Sequence, residues 1–559
     1  MKHQNTYKNV FLWLVALVAI NLLAANFFER IDLTRDQRYT LSPAAMEIVS
    51  DADSPIVIEV FLEGKFPSEF RRLRNETRQM LEEFSAYNSN IKFTFTNPLE
   101  ESKDAEATAQ EFYQQGMPPA RVSVQENGKS SEALVFPWAV ARLGDKEVQI
   151  PLLKNKLGAT DEERVSSSVQ QLEYAIANAL NKLVYPRKKK VAVMRGNGEL
   201  PDAQIASFIK TLQEYYFMAP FTLDSAAVNP QKTLQQLKGY DLIIEAKPTE
   251  AFTENEKYIL DQYTMNGGKS LWLTEAVAME TDSLLNPSGR AFALPRDLNL
   301  GDFFFSYGIR INPVLINDIY SAPIILASGE GNNTRFNPYP WFYSPLTTSP
   351  NDHPIINNIE AVKFEYANQI DTLQNKLEKT ILLSSSPQTR VEGTPREISL
   401  EMVSQEPDMA SYKDGEQPLA VLLEGEFTSV YKNRIKPFEI KNPLDQSEET
   451  KMLVISDGDV IKNEVQRGKP LELGLERYTG NTYGNKEFLL NAVNYMLDDS
   501  GLIDIRSKEI NIAFLDDQRT ADEREKWQVI NIILPLIILG LFAFGFNYFR
   551  KKKYLKYLS

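Results

Sequence analysis

The chain contains no cysteine. Disulfides, thiol nucleophiles, cysteine-ligated zinc and iron–sulfur clusters are therefore excluded. It has two histidines in 559 residues, His3 and His353, so a histidine-ligated metal or a Ser-His-Asp triad would rest on His353 alone. It also lacks a basic excess. Its 61 lysines and arginines face 75 acidic residues, a formal charge of −14, which argues against a nucleic-acid partner.

Nucleotide fingerprints are missing as well. Gly268-Lys269-Ser270 has the ending of a phosphate-binding loop, but the position of that loop's first glycine is Tyr263. The context is reversed too. Thr253 is a plausible N-cap for a helix that ends at Asn266-Gly267-Gly268, and Ser270–Thr274 then reads as a short buried strand. Arg195-Gly196-Asn197-Gly198-Glu199 carries a Gly-x-Gly after a strand, but the third glycine of a dinucleotide site is replaced by Pro201. No cofactor is expected.

What the chain does have is two long uncharged runs. Residues 9–28 and 528–549 contain no charged side chain, and each is long enough to cross a hydrocarbon core of about 30 Å as a helix. Cleavage after Ala25 is the alternative for the first run. Lys2 and Lys8 precede the first run; Arg550 and Lys551–Lys553 follow the second, with Lys556 beyond. Basic flanks stay cytoplasmic. The expectation is a two-pass inner-membrane protein with both termini cytoplasmic, a basic tail over 550–559, and a large periplasmic body surrounded by membrane lipid only at its anchors. Setting those seven basic residues aside takes the formal charge to −21, a body unsuited to lying on anionic lipid.

The body reads as α/β. Strand 56–61, helix 68–87 and strand 91–95, with further strands near 121–125, 131–136 and 147–153 and a helix over 163–184, give residues 30–186 a thioredoxin-like appearance without a Cys-x-x-Cys. Strand 190–194 opens a second domain, expected over 189–505. Its strand–helix alternation implies an open, mainly parallel sheet. A long insertion occupies about 280–380, a mobile polar excursion 386–416, and a closing amphipathic helix 485–497.

Candidate sites follow from this arrangement. The loop after the first strand of a parallel sheet is where ligands bind, so Arg195, Asn197 and Glu199 are candidate ligand residues; a tight turn is the structural alternative. Trp341, within Arg335–Tyr343, is a candidate stacking platform for a sugar. Asp457 and Asp459 offer two oxygens for a hard cation, fewer than such a site needs, and with Glu199 they are the acids a hydrolase would use. Asp352-His353-Pro354 reads as a turn.

Taken as an ordered set, IDLTRDQRYTLS, FLEGKFPSEFRRL, RGNGEL, DQYTMNGGKSLWL, FSYGIRINPVLINDIY, NDHPI, VLLEGEFTSVYKNR, VISDGDVI and YGNKEFLLNAVNYMLDD resemble the GldG family of gliding-motility-associated ABC transporter components of Bacteroidota. The resemblance spans almost the whole chain. It implies a flavodoxin-like, glutamine-amidotransferase-like central module of the type shared with an intraflagellar transport subunit, here without the amidotransferase cysteine. It also implies a partner permease (GldF-like) and a partner ATPase (GldA-like), in keeping with the missing phosphate loop. The expectation is a non-enzymatic, double-anchored accessory subunit. The alternative is a periplasmic binding module for cell-envelope glycan or another polar ligand.

Overall fold

The computed structural model describes residues 12–17, 38–64, 66–100, 104–126, 129–329, 334–347, 349–498, 500–508 and 522–555. The chain forms two compact units, Met1–Glu509 and Ile510–Ser559. Of the first apolar run only 12–17 lie among the described residues, and they are helical.

The first unit begins with helix α1 (Pro43–Ser50), where proline at the first turn and the Ser42 side chain accepting from Ala45 N start the helix. Strand β1 (Ile56–Val60) buries Ile56, Ile58 and Val60. Helix α2 (Ser68–Tyr87) lays Phe70, Leu73, Met80, Leu81 and Phe84 into the interior at helical spacing. Strands β2 (Ile91–Phe95), β3 (Trp138–Leu143) and β4 (Lys146–Pro151) complete a four-stranded sheet in the order β2-β1-β3-β4. β1 and β2 are parallel; β3 and β4 join antiparallel. The expected strands near 121–125 and 131–136 pair with each other, apart from this sheet. The helix expected over 163–184 is two helices, α3 (Asp161–Gln170) and α4 (Leu172–Val184), interrupted at Gln171.

The central sheet has seven strands: β5 (Lys190–Arg195), β6 (Phe217–Thr222), β7 (Leu242–Ala246), β8 (Lys269–Leu273), β9 (Glu378–Ser384), β10 (Pro418–Thr428) and β11 (Gln446–Ile455), in the order β9-β10-β11-β8-β7-β5-β6. The five strands from β6 to β11 run parallel, and β10 and β9 add an antiparallel margin. Parallel strands covered on both faces read as apolar runs rather than alternations. Val191, Leu242, Ile244, Leu271 and Leu453 feed one core with helices α5 (Asp202–Leu212) and α7 (Asn485–Leu497). Ala192, Met194, Ile243, Trp272 and Val454 feed the other with α6 (Glu254–Met265).

The stretch that mimics a phosphate loop is the expected helix–turn–strand. Thr253 and Glu256 form a reciprocal capping box at the start of α6. Tyr263, at the place of the missing glycine, donates its hydroxyl to Tyr240 O (3.1 Å) and Lys269 O (3.3 Å). A Cβ on Gly268 would lie 2.4 Å from the Tyr263 ring. The strand returns tightly because glycine leaves room for that ring.

The polar excursion expected over 386–416 is largely structured. Thr389–Gly393 pairs with Val314–Asp318, and Arg396–Ser399 pairs with Arg290–Pro295. These strands enclose a small core of Val277, Leu284, Leu315, Trp341, Tyr343 and Ile398. The second unit contains helix α8 (Arg524–Leu555), with Pro535 inside it. Its segment Arg524–Lys552 is long and apolar enough to cross a membrane.

Candidate functional site

In a sheet whose parallel strands run β6-β5-β7-β8-β11, chain direction reverses its progress between β5 and β7, and ligands favour the carboxyl ends at such a switch point. Two loops meet there. Gly196 and Gly198 hold positive φ of 118° and 74°, and a Cβ on Gly198 would come within 2.2 Å of Thr249 Oγ1. The Asn197 carbonyl accepts from both Thr249 N and Glu250 N at 2.9 Å, and Leu200 N donates to Ala246 O at 3.0 Å. The loops are laced by their own backbones.

The three loop candidates come together here and are engaged by bonds within the loop and to the helix that follows it. Arg195 donates to Met194 O (2.8 Å) and Asp202 Oδ1 (2.6 Å). Glu199 Oε2 accepts from Asn197 N at 3.0 Å, and Asn197 is buried. Beneath them Glu245 is fully buried, and neither of its oxygens has a partner, nor does Glu199 Oε1. Burial, and then the charges of Glu199 and Glu256, push the Glu245 carboxyl well above its ordinary range. Trp341 does not join this group. It is 3% exposed in the core of the insertion and packs edge-on against Tyr343 at 5.6 Å. Its ring is a packing element there, where a stacking platform needs an open face.

The densest chemistry lies at the ends of β7, β8 and β11. Lys247 follows β7 with φ of 60° and is 2% exposed. Its side chain passes over Gly458, where a Cβ would lie 2.3 Å from Lys247 Cγ. Its ammonium meets Asp459 Oδ2 at 2.6 Å, Glu280 Oε1 at 2.7 Å and Glu275 Oε1 at 3.1 Å. Arg296 holds Glu275 Oε2 at 2.9 Å, and Lys462 holds Asp459 Oδ1 at 2.9 Å. Asp457 caps the turn Gly458–Ile461 by accepting from Asp459 N at 2.7 Å, and also accepts from Glu365 N at 2.5 Å. Lys363 pairs with Glu365 at 2.7 Å.

Carboxylate oxygens of Glu275, Asp457 and Asp459 lie within 4.8 Å of one another, a spacing that suits a small cation. The cation set against two of them is the ammonium of Lys247. Burial opposes charge on this lysine, but Asp459, Glu275 and Glu280 raise its pKa above the usual value. Burial likewise opposes charge on Asp459, and Lys247 and Lys462 pull its pKa below the usual value. Burial pushes Glu275 up to about 7 against the pull of Lys247. Asp457 is held well above the carboxylate range by burial and by Asp459 and Glu275. Lys247, Lys462, Arg296 and Lys363 are thus each paired with a carboxyl group among Glu275, Glu280, Asp459 and Glu365.

Sequence reasoning named Asp457 and Asp459 but passed over Lys247, Glu275 and Glu245. The available signal was a charged residue at or just past the end of an apolar strand, as in Ile243-Ile244-Glu245-Ala246-Lys247 and Leu271-Trp272-Leu273-Thr274-Glu275. His353 stands elsewhere. Its Nδ1 accepts from Ile355 N at 3.3 Å, and its ring packs on Tyr495 at 4.7 Å.

Comparison with known proteins places this geometry. A family model described as a domain of unknown function matches residues 35–142. An uncharacterized protein of Borreliella burgdorferi is 21% identical over 548 residues, covering 97% of each chain. Among solved structures, the mmIFT52 N-terminal domain matches 56% of this chain and 98% of its own length, at 12% identity and a TM-score of 0.31. The model of the ABC-type uncharacterized transport system family matches residues 188–492. That match takes in the whole parallel sheet and more than half of the chain, which therefore belongs to this family of auxiliary components of ABC transport systems.

Proposed function

We propose that this chain is a membrane-anchored, non-enzymatic accessory subunit of an ABC transporter that acts by contact with partner chains. The observation that carries the reading is the internal ion pairing at the carboxyl edge of the sheet. Every ionised group named there is committed to another side chain of the same protein, and Lys247 takes the place a catalytic cation would need. The apolar α8 supports anchoring. The finer reading follows the resemblance to GldG. Both termini are cytoplasmic, the body between two spans is periplasmic, and a GldF-like permease and a GldA-like ATPase supply the pore and the nucleotide site. The body transmits or senses the ATP-driven movement of the permease during gliding. The order β2-β1-β3-β4 supports a thioredoxin-like first domain, and the parallel order β6-β5-β7-β8-β11 supports a flavodoxin-like second.

Gentle extraction from native membranes, followed by identification of co-purifying chains, tests this. A permease and an ATPase in stable ratio are expected. A chain that purifies alone from membranes expressing both defeats the proposal, as does unchanged transport after removal of residues 189–500.

One observation favours the binding-module reading. Glu199 Oε1, within the Arg195–Glu199 loop, and both oxygens of Glu245 are unpartnered among the described residues, as groups awaiting a polar ligand are. Binding of a polar ligand that survives Arg195→Ala and Glu199→Ala removes that assignment.

A further inference from the structure

The first unit contains a second feature, distant in chemistry from the sheet edge. A cleft of about 1230 Å³ runs from the N-terminal sheet at Trp138 and Lys146–Pro151, past α3 and α4, to the end of α5 and the start of α7. We infer that this cleft binds an oxyanion-bearing, hydroxylated ligand of oligosaccharide size.

The first argument is charge. The chain carries −14 overall, yet the cleft wall has seven lysines and arginines against five glutamates. Most of those glutamates are already neutralised. Glu487 is held by Lys154 (3.0 Å) and Arg506 (2.8 Å), Glu214 by Lys182 (2.6 Å) and Glu472 by Lys486 (2.8 Å). Lys146 and Arg187, both exposed, have no acidic partner among the described residues. The charge left over is positive, in a protein that is otherwise acidic, and a concave wall concentrates its field.

The second argument is unmet hydrogen bonding. Arg164 Nε, Asn178 Oδ1 and Arg506 Nε are buried without a partner, and all three residues line this cleft. Two are donors and one is an acceptor. Buried polar atoms left unpaired are costly, and a site that carries several of both kinds expects a ligand to pair them. An oxyanion answers the guanidinium donors, and a neighbouring hydroxyl answers the amide oxygen. The volume exceeds the roughly 300–1,000 Å³ of a drug-sized pocket. This points to several linked rings rather than one. Trp138, Tyr174, Tyr215 and Tyr483 contribute aromatic surface to the same walls.

The inference rests on neither reading of the sheet edge, because it concerns this chain alone. The test is calorimetric titration of the full-length chain in lipid nanodiscs with three probes. Trigalacturonate presents carboxylates, maltotriose carrying a terminal 6-phosphate presents a phosphate ester, and maltotriose is a neutral oligosaccharide of matching size. At least one anionic probe is expected to bind at least about tenfold more tightly than maltotriose, and to weaken as salt rises. The tighter of the two anionic probes identifies the oxyanion. Lys146→Gln with Arg187→Gln, both at exposed positions, is expected to leave the melting temperature unchanged and to weaken binding about threefold or more. Arg164→Gln reports on the buried donor and is expected to act in the same direction. The inference is overturned if neither anionic probe binds at about 10 mM, if maltotriose binds as well as they do, or if the Lys146→Gln, Arg187→Gln pair binds like the parent.

Discussion

Lys247 and Asp459 meet at 2.6 Å across the ends of two parallel strands, although 212 residues separate them in the chain. The contact ties the turn after β11 to the end of β7. It also fills, with a side chain, the position where an acidic cluster would otherwise take up a cation. An internal ion of this kind stabilises only as part of a complete set, because removing one member strands the others in a poor solvent.

Lys247→Met is therefore expected to destabilise the first unit by about 3–5 kcal/mol, read from denaturant unfolding of the detergent-solubilised chain. Lys247→Met combined with Asp459→Asn is expected to recover part of the loss. If the double variant is as unstable as the sum of the two single changes, the coupling argued here is absent.

Stability should depend on pH through Glu275. Its ordinary value is 4.5 and its value in the fold is about 7. The folded state holds the proton where the unfolded chain has released it. The stability from this group is thus fully present below about 4.5 and is lost as pH rises toward 7. Asp457, raised by the same burial, works in the same direction. Glu275→Gln is expected to flatten the decline in unfolding free energy across that window, whatever it does to the absolute value. An unchanged slope would count against the assignment.

Glu245 makes the opposite demand on a variant. Because it is buried and unpartnered among the described residues, with burial raising its pKa, Glu245→Gln keeps its shape and removes only a group that resists ionisation. A change within about 1 kcal/mol is expected at neutral pH. A loss of about 3 kcal/mol or more would show a carboxylate ionised and paired in the fold.

Gly268→Ala places a methyl group 2.4 Å from the Tyr263 ring and is expected to cost about 1–3 kcal/mol through displacement of that ring. Tyr263→Leu in the same chain should restore part of it, since the smaller side chain gives way. Thermal unfolding of the two variants side by side decides the matter.

Much of the second domain's plan is local, and local plans can be read. Thr253 and Glu256 announce a helix start, and Asn266-Gly267-Gly268 announces its end. Strands covered on both faces must be apolar throughout, so Leu242–Ala246 and Met452–Ile455 stand out without any knowledge of their neighbours. The closing helix Asn485–Leu497 follows from its spacing alone. Trp138–Leu143 escaped notice because Trp138-Ala139-Val140-Ala141-Arg142-Leu143 has no clean alternation, although Gly144-Asp145 is a two-residue hairpin turn that joins it to Lys146–Pro151.

The sequence by itself determined most elements of the parallel sheet, that no thiol chemistry is available, and that the carboxyl ends of the parallel strands carry polar loops. Only the tertiary structure decided which charges meet there. Pairing Lys247 with Asp459 and Glu275 depends on β7, β8 and β11 lying side by side, and strand order is a long-range property that no local pattern encodes. The same holds for Trp341. Its segment has the composition of an exposed aromatic loop, and it is covered because strands from 290–295 and 396–399, a hundred positions apart in the chain, close over it. Local propensity acts over a few residues. Burial and charge compensation are settled by neighbours in space, and those are chosen by the packing of the whole domain.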